Sequence, residues 1–111
     1  MTPKDFVKCF AEEKQSLLAA YLSNTPETAV SKRISSLNLS SEQKKEMNKI
    51  VDDILTDAFY TILLGLDGCT QIGGKQIEYR LMDEEGNELT GKGEIESQAW
   101  EQFQENTKKP N

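Results

Sequence analysis

The sequence predicts an α+β fold in which three N-terminal helices, a three-stranded antiparallel β-meander and a C-terminal helix form a two-layer domain. Apolar residues recur every three to four positions up to about residue 66, which is typical of amphipathic helices. They then alternate with polar residues, as in half-buried strands. The 111 residues are close to the commonest domain size, so we expect a single domain over 1–111.

The first two helices have similar start signals. Thr2 can cap a helix and Pro3 suits its first turn, and apolar residues at helical spacing extend this helix over about residues 3–22. A second Thr-Pro pair begins at Thr25, is followed by Glu27, and precedes a shorter periodic segment. That pattern predicts a second helix over about residues 26–37.

A long third helix is predicted over about residues 41–64. Ser40, with Gln43 three residues later, resembles a capping box at its start. One apolar stripe follows the helix and consists of Met47, Ile50, Val51, Ile54, Leu55, Ala58, Ile62 and Leu66. The second half of the helix is apolar nearly all round, so we expect it to be covered on more than one side and to form the spine of the core.

Three strands are predicted over about residues 69–72, 75–82 and 88–95. Gly73 and Gly74 suit a primed turn between the first two strands.

The second turn of the meander fixes its register. Residues 83–86 fit a type I turn that ends in a glycine bulge. This turn places Leu81 opposite Leu89 and, further along, Tyr79 opposite Gly91. We therefore expect the last two strands to pair over their whole length.

A final helix is predicted over about residues 98–105, capped by Ser97, with a frayed tail over 106–111. Trp100 and Phe103 lie on this helix. Both residues either fix the helix to the core or offer an exposed anchor to a partner protein.

The composition excludes several classes of function. With 19 acidic and 13 basic residues the net charge is −6, which argues against nucleic-acid binding because phosphate neutralisation requires clustered Lys and Arg. The longest apolar run, residues 58–66, is too short to cross a membrane, and the N-terminal stretch has no apolar signal segment. Cys9 and Cys69 are interpreted as reduced core residues. We therefore expect a soluble, cytoplasmic protein.

Candidate catalytic groups are few. The chain has no histidine, so a Ser-His-Asp triad, a Cys-His pair and His-ligated zinc are all excluded. The acidic segment 82–89 has its glycine at the wrong position for a calcium loop. Asp53 and Asp57 lie one turn apart on the third helix, and Asp57 borders the apolar stripe, where a partly buried carboxylate could exchange protons. We predict no catalytic residue, no metal and no cofactor.

Negative charge is concentrated near the C-terminus. Residues 83–111 hold eight acidic and three basic residues, whereas residues 1–82 hold 11 and 10. A surface of one sign steers and accelerates the binding of a partner of the opposite sign. The predicted partner-binding residues are Asp83, Glu84, Glu85, Glu88, Glu94, Glu96, Trp100 and Glu101.

The resulting hypothesis is a small acidic protein-binding module with a basic protein partner. A bacterial immunity or inhibitor protein that neutralises a basic toxin is a concrete instance. The alternatives are a metal-dependent enzyme that uses Asp53 and Asp57, and a homo-oligomeric small-molecule-binding domain.

Overall fold

The protein folds mainly as helices. A computed structural model describes residues 1–105, and 106–111, which include the predicted frayed tail, lie outside the described residues. The helices are α1 (Pro3–Tyr21), α2 (Ala29–Ser36), α3 (Ser41–Leu66) and α4 (Glu94–Ala99), with a π-helical turn over Trp100–Glu105. α1 packs against α2, α3 and α4, and α4 also packs against α3.

Each of the first three helices begins at a capping box. Thr2, Thr28 and Ser40 each accept a hydrogen bond from the backbone N–H three residues later, and the side chain of that later residue bonds the backbone of the cap. The predicted starts of α1 and α3 are therefore confirmed. α2 begins three residues after its predicted start at 26, because Thr28 rather than Thr25 is its cap.

The core lies where α1, α3 and the C-terminal helical segment meet. Its buried members are Val7, Leu63, Leu89, Ile95, Ala99 and Phe103. A row of aromatic contacts crosses it, with ring-centroid distances of 5.0 Å for Phe6–Phe10, 5.8 Å for Phe10–Phe59 and 6.3 Å for Phe59–Phe103. These tilted and edge-on pairs hold the last helical turn against the first helix.

An ion pair also joins α1 to α3. Lys14 is buried, and its Nζ lies 2.7 Å from Oδ1 of Asp52, whose side chain is 43% exposed. Within the described residues, Asp52 Oδ1 has no hydrogen-bond partner, so the ion pair with Lys14 is its one polar contact. A lysine buried this completely requires a compensating charge.

The predicted α+β domain with a three-stranded meander is wrong. Within residues 1–105 there is no sheet, and the only pairing is two isolated bridges, Ile72–Lys75 and Met82–Glu88. The predicted strand 88–95 ends after Leu89, because Gly91 and Gly93 have φ of +95° and +73° and leave the extended region. The predicted strand 75–82 thereby loses its partner.

Both predicted turns are nevertheless present. Gly73 and Gly74 have φ of +61° and +78°, as a type I′ turn requires. The Gly86 N–H donates to the Asp83 carbonyl, and the Leu89 N–H donates to the Leu81 carbonyl at 2.8 Å. The local register is thus the predicted one, and only the extension of the ladder beyond Leu81 fails.

The side chain of Thr90 ends the ladder. Thr90 is 2% exposed. Its Oγ1 accepts the Leu81 N–H at 3.0 Å and donates to the Tyr79 carbonyl at 2.8 Å. The Leu81 N–H and the Tyr79 carbonyl, which are predicted to pair with the neighbouring strand, are therefore both satisfied by the Thr90 hydroxyl.

Candidate functional site

A long-range contact from Asp67 determines where α4 begins. Asp67 is the C-cap of α3 and is buried. Its Oδ1 accepts the Gly91 N–H at 3.0 Å, and its Oδ2 accepts the Glu96 N–H at 3.1 Å. The N-cap of α4 is Gly93, which has no side chain to accept such a bond, so the Asp67 carboxylate takes that role. The start of α4 is thereby fixed at the end of α3.

The C-terminal helical segment has one buried and one exposed aromatic residue. Phe103 is 1% exposed and belongs to the core, whereas Trp100, where the π-helical turn starts, is 48% exposed. The Trp100 ring lies beside Tyr60 of α3, with ring centroids 6.5 Å apart. Phe103 therefore fixes the helix to the core. Trp100 leaves a large aromatic surface facing solvent.

Exposed carboxylates lie close to Trp100 in the sequence. Glu96 lies four residues before Trp100, on the same face of the helix. Glu94 and Glu101 are also exposed. Burial, and after it the charge of Glu96, raise the pKa of Tyr60. We name Tyr60, Glu96, Trp100 and Glu101 the aromatic-acidic face.

Cys69 lies beside this face as an unreactive thiol. Cys69 and Cys9 are both free and exposed, so the prediction that they are core residues is wrong. The Cys69 Sγ nevertheless contacts Glu96 Oε2 at 2.8 Å. Removal of water from the sulphur and the hydrogen bond to Glu96 raise the pKa of Cys69 to about 12. The thiolate needed for nucleophilic chemistry is therefore scarce at neutral pH.

The acidic hairpin tip is first a structural turn. Asp83 Oδ1 accepts the backbone N–H groups of Glu85 and Asn87, and Oδ2 accepts the Asn87 side-chain amide at 2.9 Å. The bonds from Asn87 are the main reason that the pKa of Asp83 lies well below its usual range. Glu84, Glu85 and Glu88 remain exposed. Asp83 therefore organises the turn, and the exposed glutamates of the tip are the predicted residues still open to a partner.

The third helix carries an exposed apolar row that the sequence analysis assigned to the core. Ile50, Ile54 and Ile62 are 50%, 60% and 47% exposed, and Ala58 between them is exposed as well. These four residues, each four positions from the next, form what we name the α3 row. Val51 and Leu55 of the same predicted stripe are buried, as is Leu63 beside it.

A signal for this second surface is present in the sequence. A stripe of eight apolar residues on one helix is wider than a single contact with a neighbour requires. Asp53 and Asp57 interrupt its border and mark a solvent-facing edge. Whether both sides of the stripe are covered depends on how many other elements pack against α3. The predicted sheet would have covered the second side, but the described residues form no sheet.

Asp53 and Asp57 are both exposed. The partly buried carboxylate on which the metal-dependent alternative depended is therefore a surface residue. Within residues 1–105 no group of three or more Cys, Asp or Glu side chains could hold a metal ion together.

Residues 1–105 include open cavities near the end of α1 and beside Asp67. The first, of about 600 Å³, lies between the end of α1, α2 and the first half of α3, with Tyr21, Ser31, Asn38, Lys44 and Asn48 among its lining residues. The buried Ser31 hydroxyl is already bonded to Thr28. The second, of about 570 Å³, is bordered by Asp67, whose two oxygens both accept hydrogen bonds. Neither cavity presents an unsatisfied buried group to a ligand.

Among the described helices, none is long and apolar enough to cross a membrane. Comparison with protein-family models, with curated proteins and with solved structures gives no match. The function proposed below is therefore argued from the surfaces of this chain.

Proposed function

We propose that this protein is a protein-binding module that docks on a basic protein through its aromatic-acidic face. The observation that carries the proposal is the exposure of Trp100, 48%, with exposed glutamates four residues before it and one residue after it. Trp residues are enriched in binding hot spots because a large, rigid ring loses much contact with water and little conformational entropy.

The charge around the ring defines the class of partner. Glu96 and Glu101 are exposed, as is Glu94 on the preceding turn, and α4 has no basic residue in its last turn. A basic surface with a pocket or flat apolar patch would gain both the ring contact and favourable encounter rates. The net charge of −6 acts in the same direction over longer distances.

The manner in which the face is built supports a binding role. Its helix is fixed at one end by Asp67 and at the other by the buried Phe103, so Trp100 stands on a rigid support. π-helical turns in other proteins occur frequently at functional sites. An inhibitor that neutralises a cationic protein, such as a bacterial immunity protein, remains the concrete instance of this proposal.

The test begins with affinity capture of the partner and ends with the purified pair. The whole chain is immobilised, the partner eluted by a salt gradient is identified, and the Kd of the purified pair is measured over a range of salt. We expect a basic partner whose Kd rises steeply with salt and rises at least about tenfold in Trp100→Ala, which is the scale of a hot-spot residue.

Two controls make this test decisive. Met82→Ala changes another exposed large apolar residue, 57% exposed, and is expected to leave the Kd unchanged. Thermal melts of both variants exclude loss of fold as the cause. A partner that is neutral or acidic, or a Kd that Trp100→Ala leaves unchanged, would show that the aromatic-acidic face is not the binding site.

A further inference from the structure

We propose that the α3 row, Ile50, Ile54, Ala58 and Ile62, binds an amphipathic helix whose apolar side is flanked by Lys or Arg. This inference rests on the proposed function, because it names the structural element through which a basic partner extends beyond the aromatic-acidic face. Single exposed apolar residues are ordinary on protein surfaces, but a contiguous exposed patch marks an interaction site.

The spacing of the row matches a helix. Residues four apart form an inclined ridge on a helix, and ridges of this kind interdigitate with those of a second helix at about −50° in the commonest class of helix packing. From Ile50 to Ile62 the row extends about 18 Å along α3, which is the length of three turns of a partner helix. The small side chain of Ala58 leaves room for a large apolar residue of the partner between its neighbours.

The charge beside the row determines the sign of the partner. Asp53 and Asp57 are exposed along one edge of the row, and the other edge is closed by Val51 and Leu55, which are buried against the body of the protein. Lys49 is an exposed basic residue near the edge of Asp53 and Asp57. Its Nζ lies 3.4 Å from Oε1 of Glu46, with which it forms an ion pair. A partner helix with Lys or Arg beside its apolar row would meet both aspartates.

The same charge argues against a second copy of this chain. In a two-fold interface that packs two copies of the row antiparallel, the edge of Asp53 and Asp57 would lie beside an identical acidic edge. Like charges at short distance destabilise an interface, whereas a basic helix makes favourable pairs at the same positions.

The row is continuous with the aromatic-acidic face. Asp57 and Tyr60 are three residues apart and therefore neighbours on α3. Tyr60 in turn contacts Trp100. A single basic partner can thus cover Trp100 and the α3 row together, with Asp57 between them.

A synthetic peptide tests the proposal without the natural partner. The probe has about 18 residues, with Leu at every fourth position, Lys on both flanks of that row, and no Trp or Tyr. Binding to the full chain is measured by calorimetry and by the fluorescence of Trp100, the one tryptophan of the sequence. Two control peptides are a scrambled sequence of the same composition and a peptide with Glu in place of every Lys.

We expect the basic helical peptide to bind at least about tenfold more tightly than either control peptide. Ile54→Gln should weaken binding by a similar factor, and the double change Asp53→Asn with Asp57→Asn should weaken it and reduce its dependence on salt. The matched controls are Ile77→Gln, which changes another half-exposed isoleucine, and Glu12→Gln on α1, and neither should alter the Kd.

Three results would overturn the inference. The first is equal binding of the basic and scrambled peptides, and the second is an Ile54→Gln variant with unchanged affinity. The third is a dimer of the free chain in light scattering that Ile54→Gln dissociates, since a second copy would then cover the row. If Trp100→Ala weakens the natural partner and Ile54→Gln does not, the proposed function stands and this inference fails alone.

Discussion

The first three helices and the fourth begin by different means. α1, α2 and α3 each begin at a capping box whose two members are three residues apart. α4 begins at Gly93, which makes no side-chain capping bond, and the Glu96 amide in its first turn is bound by Asp67 from the end of another helix. A helix start of the first kind depends on its own residues, whereas the start of α4 depends on a contact that forms only when α3 and the loop after it are in place.

The same difference extends to the loops. Between Cys69 and Gly93 the backbone is organised by single side chains, above all Asp67, Thr90 and Asp83, rather than by a ladder of backbone bonds. Each such side chain bears the hydrogen bonds that several backbone pairs would share in a sheet. The C-terminal region, which carries the aromatic-acidic face, should therefore be the part most sensitive to single substitutions.

The largest effect is expected from Asp67→Ala. The change removes the acceptor of two backbone N–H groups in a buried site, and hydrogen bonds to a charged acceptor contribute about 1.5–3 kcal/mol each. We expect the free energy of unfolding to fall by about 3 kcal/mol or more in urea titrations, with faster amide exchange at Gly91 and Glu96. Asp57 is an exposed aspartate of the same helix, and Asp57→Ala should change the free energy of unfolding by less than about 0.5 kcal/mol. Equal losses in both variants would show that the long-range cap is energetically unimportant.

A smaller effect tests the contact between α1 and α3. Asp52→Ala leaves the buried Lys14 without its partner and should lower the free energy of unfolding by about 2 kcal/mol, less than for a fully buried pair because Asp52 is half exposed. Lys14→Met removes the buried charge itself and should change stability by less than about 1 kcal/mol. Chemical denaturation of the two variants gives this asymmetry directly. If Lys14→Met lowers the free energy of unfolding as much as Asp52→Ala does, the ion pair itself stabilises the fold.

These contacts also explain how much of the molecule could be predicted from sequence. The starts of α1 and α3 and the two glycine turns depend on residues close together in the chain, and each was predicted correctly. The fold class was wrong because period-two alternation over 75–82 was interpreted as a paired strand. The predicted partner segment, 88–95, leaves the extended conformation at Gly91 and Gly93 and is bound by Asp67. No short-range sequence pattern links Asp67 to Gly91.

The predicted partner-binding residues remain a prediction, and the structure shows only their exposure. The acidic residues and Trp100 could be selected from charge and residue type, and the structure leaves Trp100 half exposed. The α3 row could not be separated from the core stripe, because Ile54 and Leu55 are equally apolar and only the packing of α1 and α4 decides which of them is covered. Asp83 was included as a binding residue, although its oxygens are engaged within its own turn.

Thr90→Val should have an intermediate effect. Valine keeps the shape of threonine but removes the hydroxyl that joins Leu81 and Tyr79, and it leaves the part-buried Leu81 N–H unpaired. We expect a loss of about 1–2 kcal/mol in the free energy of unfolding. Thr90→Ser keeps both bonds and should lose less. Hydrogen exchange at the Leu81 amide should increase in Thr90→Val alone, and an unchanged rate in that variant would show that the hydroxyl bond does not protect this amide.

The smallest effect is expected at the hairpin tip, where Asp83 is bound by near neighbours in its own turn and by the Met1 amino group at 3.0 Å. The bonds from Asn87 hold the pKa of Asp83 below its usual value, so folding favours the ionised carboxylate. Its contribution to stability is therefore present above the ordinary aspartate range, near pH 4, and is lost as the pH falls below that range. Urea midpoints at neutral pH and near pH 3 should fall less with acid in Asp83→Asn than in the native chain. Glu84→Gln, an exposed neighbour, should keep the native pH dependence, and an identical loss in all three proteins would exclude Asp83 as the source.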